Sequence, residues 1–212
     1  MKIRITEVNE AAKRRRAAFT LIEMIGVLAV IAILASMLIP RVFEAINSAR
    51  VNATAVACET IKTAVADHYG KYGQFDQIFG TTGVTYNVSG NIDAGYDTNV
   101  LMVEQLLDKP FSAKIAGGDP STNAIIQLVK AGKGNAGAGY SLDGNTTSPT
   151  TANATFVVEA VIFGVSQADA KDLNDRIDGT GLGANADTSD TKGRVEYGKD
   201  FPTTVYVYLT HR

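Results

Sequence analysis

Apolar residues fall along this 212-residue chain in three different rhythms. Between Phe19 and Ile39 they are almost continuous: FTLIEMIGVLAVIAILASMLI holds a single charged side chain, Glu23, and none from Met24 onward. A run of about 20 such residues is what a helix needs to cross a bilayer core. From Val42 the spacing changes to threes and fours. Val42, Ile46, Ala49, Ala53, Val56, Ala57, Ile61 and Ala64 form a stripe with charged residues mostly between them, until Gly70 and Gly73. Together the two stretches predict one helix from about Thr20 to Tyr69. At ~1.5 Å per residue it would be on the order of 75 Å long, too long for one small head to cover. Pro40 removes the bond to the Ser36 carbonyl and disfavours helical geometry at Ile39. That predicts a kink or a locally unwound turn, with a mild bend as the alternative.

Beyond residue 71 the runs are shorter. TNVLMVEQLLDKP predicts a short helix capped near Asn99 and stopped before Pro110. NAIIQLVK, ATFVVEAVIFGV, GRVEYG and TTVYVYLT have the β-branched and aromatic content of strands. SQADAKDLNDRIDG places Ser166 and Asp169 in a capping-box relation, with Ala170, Leu173 and Ile177 on one face, and predicts a helix between strands. GTGLGANADTSDTKG and the Ser/Thr-rich NTTSPTTANAT (145–155) read as surface loops, the second open to glycosylation if displayed. The fold class is therefore α+β. A long N-terminal helix spans a membrane in its first half and packs by its second half on a C-terminal head with an antiparallel sheet. The segments are 1–18, 19–40, 41–70 and 71–212.

Charge divides the chain in the same place. Residues 1–18 hold six Lys/Arg against two acids, leaving 14 against 20 for the remainder. Lys13, Arg14, Arg15 and Arg16 flank the apolar run on one side only, so the first residues stay cytoplasmic and the rest crosses the membrane. The overall balance excludes a nucleic-acid binder by charge. The lone Cys58 allows no internal disulfide and reads as helix packing; a free thiol or a bridge between chains are the alternatives. A cleaved secretory or twin-arginine signal would need a small-residue cleavage site, and Val30-Ile31-Ala32 is a poor one. A simple uncleaved anchor leaves Glu23 unexplained.

A carboxylate at this depth is costly and calls for a partner or a role. If the chain is cut between Ala18 and Phe19, the new α-amino group lies four residues before Glu23 at the start of the helix. The carboxylate then offsets the amine's clash with the helix dipole. In a bundle, the carboxylate of one helix pairing with the amine of its neighbour would set contact and axial register. The bland alternative is a Glu that snorkels to the headgroups.

The basic leader, the run AFTLIEMIGVLAVIAILASMLIP, Glu23 and Pro40 resemble the class III signal and N-terminal helix of type IV pilins and type II secretion pseudopilins, over roughly residues 13 to 70. The resemblance implies a leader, 1–18, removed before Phe19 by a prepilin peptidase that also N-methylates Phe19. It implies a subunit held in the bacterial inner membrane as a single-pass protein with its head outside the cytoplasm. An assembly ATPase and a membrane platform protein would then extrude it into a pilus or a periplasmic pseudopilus. The assembly residues it points to are Phe19, Glu23 and Pro40. Ala18 stands where the family has Gly before the cut. A singly anchored protein with an extracytoplasmic binding domain is the rival reading, and a secreted enzyme a third.

Other motifs carry little. GKGNAG (132–137) satisfies G-x-G-x-x-G but no helix pattern follows it. Two histidines, His68 and His211, without H-E-x-x-H, G-x-S-x-G or C-x-x-C, offer no catalytic constellation and point to a non-enzyme. His68 beside Tyr69 reads as a capping or surface group. No cofactor is implied except structural calcium: Asp178, Asp187 and Asp190 are weak candidates, although their spacing is not that of an EF-hand. Some pseudopilins are similar in holding calcium in a loop late in the head. A solvated turn is the alternative.

Overall fold

The computed structural model describes residues 19–79, 85–87, 91–92, 94–119, 122–130, 139–145, 150–152, 154–179, 181–182 and 189–212. The described residues fall into two compact units, divided between Phe43 and Glu44. One helix, α1 (Leu21–Tyr72), contributes to both. In the first unit its helical pattern continues through Pro40 without a break, so the unwound turn expected there is not found. One turn before the proline the Ser36 hydroxyl donates to the Ile33 carbonyl (2.8 Å), keeping that side chain against its own helix.

In the second unit α1 buries Val51, Thr54, Cys58, Ile61, Val65 and His68, which recur at alternating spacings of three and four. This is not the stripe the apolar pattern predicts. Ile46, Ala49, Ala53 and Val56 lie on the opposite side and are exposed; only Ile61 and Ala64 of the predicted set are buried. The buried stripe accepts a threonine, a cysteine and a histidine because Thr54 and His68 Nδ1 find specific partners and the Cys58 thiol packs as a small apolar group. Thr54 Oγ1 donates to the Arg50 carbonyl (3.0 Å) and accepts the Lys114 N–H (3.1 Å). The helix passes Gly70 and ends at Tyr72, with Gly73 in the left-handed region (φ 73°) returning its N–H to the Tyr69 carbonyl.

Strands β1 (Gln77–Phe79) and β2 (Thr85–Asn87) form a small antiparallel pair that the hydrophobic pattern did not announce. The four strands that it did announce make one antiparallel sheet in the order β3-β4-β6-β5: β3 (Ala124–Lys130), β4 (Phe156–Val165), β5 (Val195–Tyr197) and β6 (Thr203–His211). Alternation decides its faces. Ile126, Leu128, Val158, Ala160, Ile162, Val205, Val207 and Leu209 join the buried α1 residues in one core. Burying each such aliphatic side chain contributes about 1.5–3 kcal/mol. Helix α2 (Gln167–Ile177) links β4 to β5 as predicted, with Ser166 as N-cap accepting the Asp169 N–H and with Ala170 and Leu173 buried.

The other face carries a buried polar group that sequence reading missed. Glu159, in the middle of β4, is fully buried and accepts the Tyr140 hydroxyl (2.6 Å) and the side-chain amide of Gln127, its cross-strand neighbour. Desolvation, then the Glu159 charge, holds the Tyr140 hydroxyl well above the usual phenol range. Thr151 Oγ1 accepts the Tyr140 N–H (2.7 Å) and is buried, so this part of the 145–155 stretch is an anchor against the sheet and not an exposed loop.

Two further expectations are corrected. The segment after Tyr96 is a five-residue π-helix (Asp97–Leu101) followed by turns, not a regular α-helix running to Lys109. The Asp97 carboxylate accepts the Phe111 N–H (2.7 Å), which binds the segment to the chain beyond it. His68 is neither a cap nor a surface group. It is fully buried, with Nδ1 2.9 Å from Glu104 Oε2 and its ring against Tyr72 and Tyr96. The histidine sits there because Glu104, brought in by the turns after the π-helix, offers a charge-compatible partner where none is visible in the local sequence.

Two predictions follow from this core. Glu104→Ala strands His68 in a dry site and is expected to cost about 3 kcal/mol, read from the urea midpoint at constant m-value in detergent; a loss within about 0.5 kcal/mol would contradict it. Burial, reinforced by the Glu59 charge, pushes the Cys58 thiol up to about 12. At pH 8 the folded protein should therefore resist iodoacetamide and react only after denaturation; alkylation as fast as that of a free thiol would refute it.

Candidate functional site

The first unit presents a helix with almost nothing on it but apolar side chains. Leu21, Ile22, Ile25, Leu28, Ile31, Leu34 and Met37 are all more than half exposed. Its most apolar 18-residue window has a mean hydropathy of 2.6, long and apolar enough to cross a membrane by length and composition. Phe19, two residues before the helix, is 76% exposed. Ala18 lies outside the described residues.

Glu23 is the one carboxylate in this segment, and the structure gives it a local partner that the sequence reading overlooked. Thr20 donates to Glu23 Oε2 twice, from its backbone N–H (2.9 Å) and from its hydroxyl (2.7 Å), while the Glu23 N–H reaches Thr20 Oγ1 (3.3 Å). This is a capping box. The N-cap hydroxyl meets an orphan N–H of the first turn and the glutamate reaches back to the N-cap N–H. The signal was present as T-x-x-E at the start of the apolar run. Both bonds from Thr20 fall on Oε2, and among the described residues no hydrogen bond reaches Oε1. A carboxylate has acceptor capacity to spare in this state, so the box fixes the side chain's direction and leaves one oxygen to bind a further cation.

In the second unit, the exposed side of α1 carries a groove. Val56, Thr60 and Thr63 line it together with Arg176 and Ile177 of α2. Its rim is charged: Arg194 donates to Glu59 (2.8 Å), Lys62 stands 3.5 Å from the same carboxylate, and Arg176 donates to Ser48 (2.8 Å). The Arg194 hydrogen bond holds the Glu59 carboxyl below the usual carboxylate range.

The acidic residues of the late loop behave differently from a solvated turn. Asp178 Oδ2 accepts the N–H groups of Arg194 (2.8 Å) and Val195 (2.9 Å). Gly193, at φ 79°, packs so closely under this carboxylate that a Cβ would collide with it. Asp190 is buried, accepting from Asn174 Nδ2 (2.9 Å) and the Lys192 N–H (2.9 Å). Asp187 and the GKGNAG stretch lie outside the described residues. Among those that are described, no group of three or more His, Cys, Asp or Glu side chains gathers for a metal.

Comparison with known proteins bears on the N-terminal segment. The family model described as the prokaryotic N-terminal methylation motif matches residues 13–39, the stretch that holds the basic block, Phe19, Glu23 and the apolar helix. No curated protein sequence matches the chain. Among solved structures the chain is similar to the major type IV pilin PilA1 from Clostridium difficile, at 16% identity and a TM-score of 0.37, over 77% of this chain and 96% of that one. Nothing is carried over from a likeness of that size. What the comparisons establish for this chain is local: residues 13–39 carry the prokaryotic N-terminal methylation motif.

Proposed function

We propose that this protein is a structural subunit of a type IV filament, a pilus or a secretion pseudopilus, held in the inner membrane by residues 19–40 and assembled by helix packing after its leader is removed. The observation that carries the proposal is the exposure of the long apolar side chains between Leu21 and Ile39, interrupted by one oriented carboxylate. Lipid satisfies such a surface before assembly, and only other helices of the same kind satisfy it in a filament. Cleavage between Ala18 and Phe19 by a prepilin peptidase places a cationic amine at the helix start. Ala18 is small enough to stand in for the glycine of the resemblance.

The role of Glu23 follows from its geometry. Thr20 occupies one carboxylate oxygen and points the other outward, and the Phe19 amine of an adjacent subunit meets that oxygen. An unpaired carboxylate in a bundle core is penalised more than a mispacked methyl, so the pair sets axial register as well as contact. In the second unit the exposed stripe Ile46, Ala49, Ala53 and Val56 gives further apolar surface for neighbouring copies. The platform protein and assembly ATPase act on the membrane-held subunit, and the head forms the outer surface of the filament.

Glu23→Ala should leave membrane insertion unchanged and lower filament yield by at least about tenfold, the equivalent of a lost charge-assisted contact of ~1.4 kcal/mol or more per subunit. Thr20→Val removes the hydroxyl half of the capping box but keeps the carboxylate, and should reduce yield by less. Sheared-filament preparations compared with membrane fractions read both. Equal loss in the two variants would reduce Glu23 to a helix cap, and undiminished assembly of Glu23→Ala would remove the proposed pairing.

A further inference from the structure

In the second unit the exposed side of α1 runs between two flanks of different make. Thr60 lines a cleft on each: with Val56, Arg176 and Ile177 on the α2 flank, and with Leu107, Lys109 and Pro110 on the other. Arg176 is exposed, and among the described residues its guanidinium is engaged through one nitrogen, which donates to Ser48 Oγ (2.8 Å). A guanidinium carries five N–H donors in a planar fork, so this one keeps room for a carboxylate. Glu59, on the same groove, does not fill that role, since Arg194 and Lys62 already hold it. The α2 flank is therefore a groove with apolar side chains, Val56 and Ile177, and an open cation on its rim.

The other flank carries the complement. The turns after the π-helix leave Val103 51% exposed, Leu107 half-buried and Asp108 and Pro110 exposed. Among the described residues no hydrogen bond or ion pair within the chain reaches the Asp108 carboxylate. An apolar segment with an open anion thus lies on one side of α1 and an apolar groove with an open cation on the other. Complementary charge of this kind fixes register and partner choice between surfaces that are otherwise merely apolar. The groove also continues the exposed stripe of Ile46, Ala49, Ala53 and Val56 onto α2.

We propose that residues 103–110 of one copy of this chain dock in the α1–α2 groove of the next, with the Asp108 carboxylate on the Arg176 guanidinium of that neighbour and the apolar side chains over Val56 and Ile177. The contact presupposes that the chain forms filaments, and it supplies their contact between second units. The occupant is a second copy because both halves of the contact are carried by one chain and each is used once per subunit. Unlike patches cannot close into a two-fold dimer; their pairing repeats head to tail and yields a ring or an open helix.

Filaments sheared from the native host test this by cross-linking. Lys109→Cys and Asp172→Cys are placed together in one chain, at exposed positions next to Asp108 and one helical turn before Arg176, so that the charge pair stays intact. Native Cys58 is buried and contributes no background. A short bis-maleimide should join subunits into a ladder of multiples of the subunit mass, while either single variant stays monomeric. Charge reversal gives an independent readout should the cysteine chain assemble poorly: Asp108→Arg and Arg176→Asp should each lower filament yield at least about threefold, and the two together should restore it to within about twofold. Filaments without a ladder, or reversals whose losses add instead of cancelling, would overturn this contact while leaving filament formation standing. Dimers from a single cysteine variant would overturn it by showing a like-with-like contact, and cross-linking to a different protein would overturn the second copy as occupant. Absence of sheared filaments from the wild type would overturn filament formation and this contact with it.

Discussion

The rest of the molecule depends on one constraint: a helical surface that is apolar all round and that its own unit leaves uncovered. Leu21 to Ile39 presents long aliphatic side chains in every direction. A helix of that kind calls for cover on every side, in lipid or among other apolar helices. A charge in such a surface is a commitment, because it excludes arrangements that leave it unpaired. Glu23 is that charge, and Thr20 holds it so that one oxygen closes the helix end while the other remains open. In the proposed assembly, local capping and partner selection are two uses of one carboxylate, separated by oxygen atom.

The second unit solves a different problem, which is to hold a small head together without a disulfide. One side of α1 from Val51 to His68 packs with the inner face of a four-stranded sheet. The outer face is closed by the segment around Tyr140, anchored through Glu159. Both faces include buried polar groups held by specific partners: His68 Nδ1 by Glu104, Glu159 by Tyr140 and Gln127, Thr54 by backbone on two sides. Such groups stabilise little in total, but they are costly when mispaired and so penalise alternative packings.

Strand content was legible because β-branched runs such as TTVYVYLT have no competing helical reading, and α2 because Ser166 and Asp169 mark its start. The apolar span and the motif around Phe19 and Glu23 were legible for the same reason: the signal is local. What failed was everything set by distant partners. The stripe through Ile46, Ala49, Ala53 and Val56 is the more apolar one, yet Val51, Thr54, Cys58 and His68 face the head, because the sheet and Glu104 decide which side of the helix is covered. The Asp97–Phe111 contact turned a helical pattern into a π-helix with turns. The Thr20 contact is by contrast local, a T-x-x-E capping box legible in the sequence itself.

The central claim is that the chain is processed before Phe19 and then assembles through the new amino terminus. Intact-mass analysis and N-terminal sequencing of the protein extracted from its native membrane test it most directly. The account predicts a chain that begins at Phe19 and carries the mass of one added methyl group. A chain that retains Met1, or one cut after Ala32, would contradict it and leave an anchored or secreted domain in which Glu23 has no partner amine.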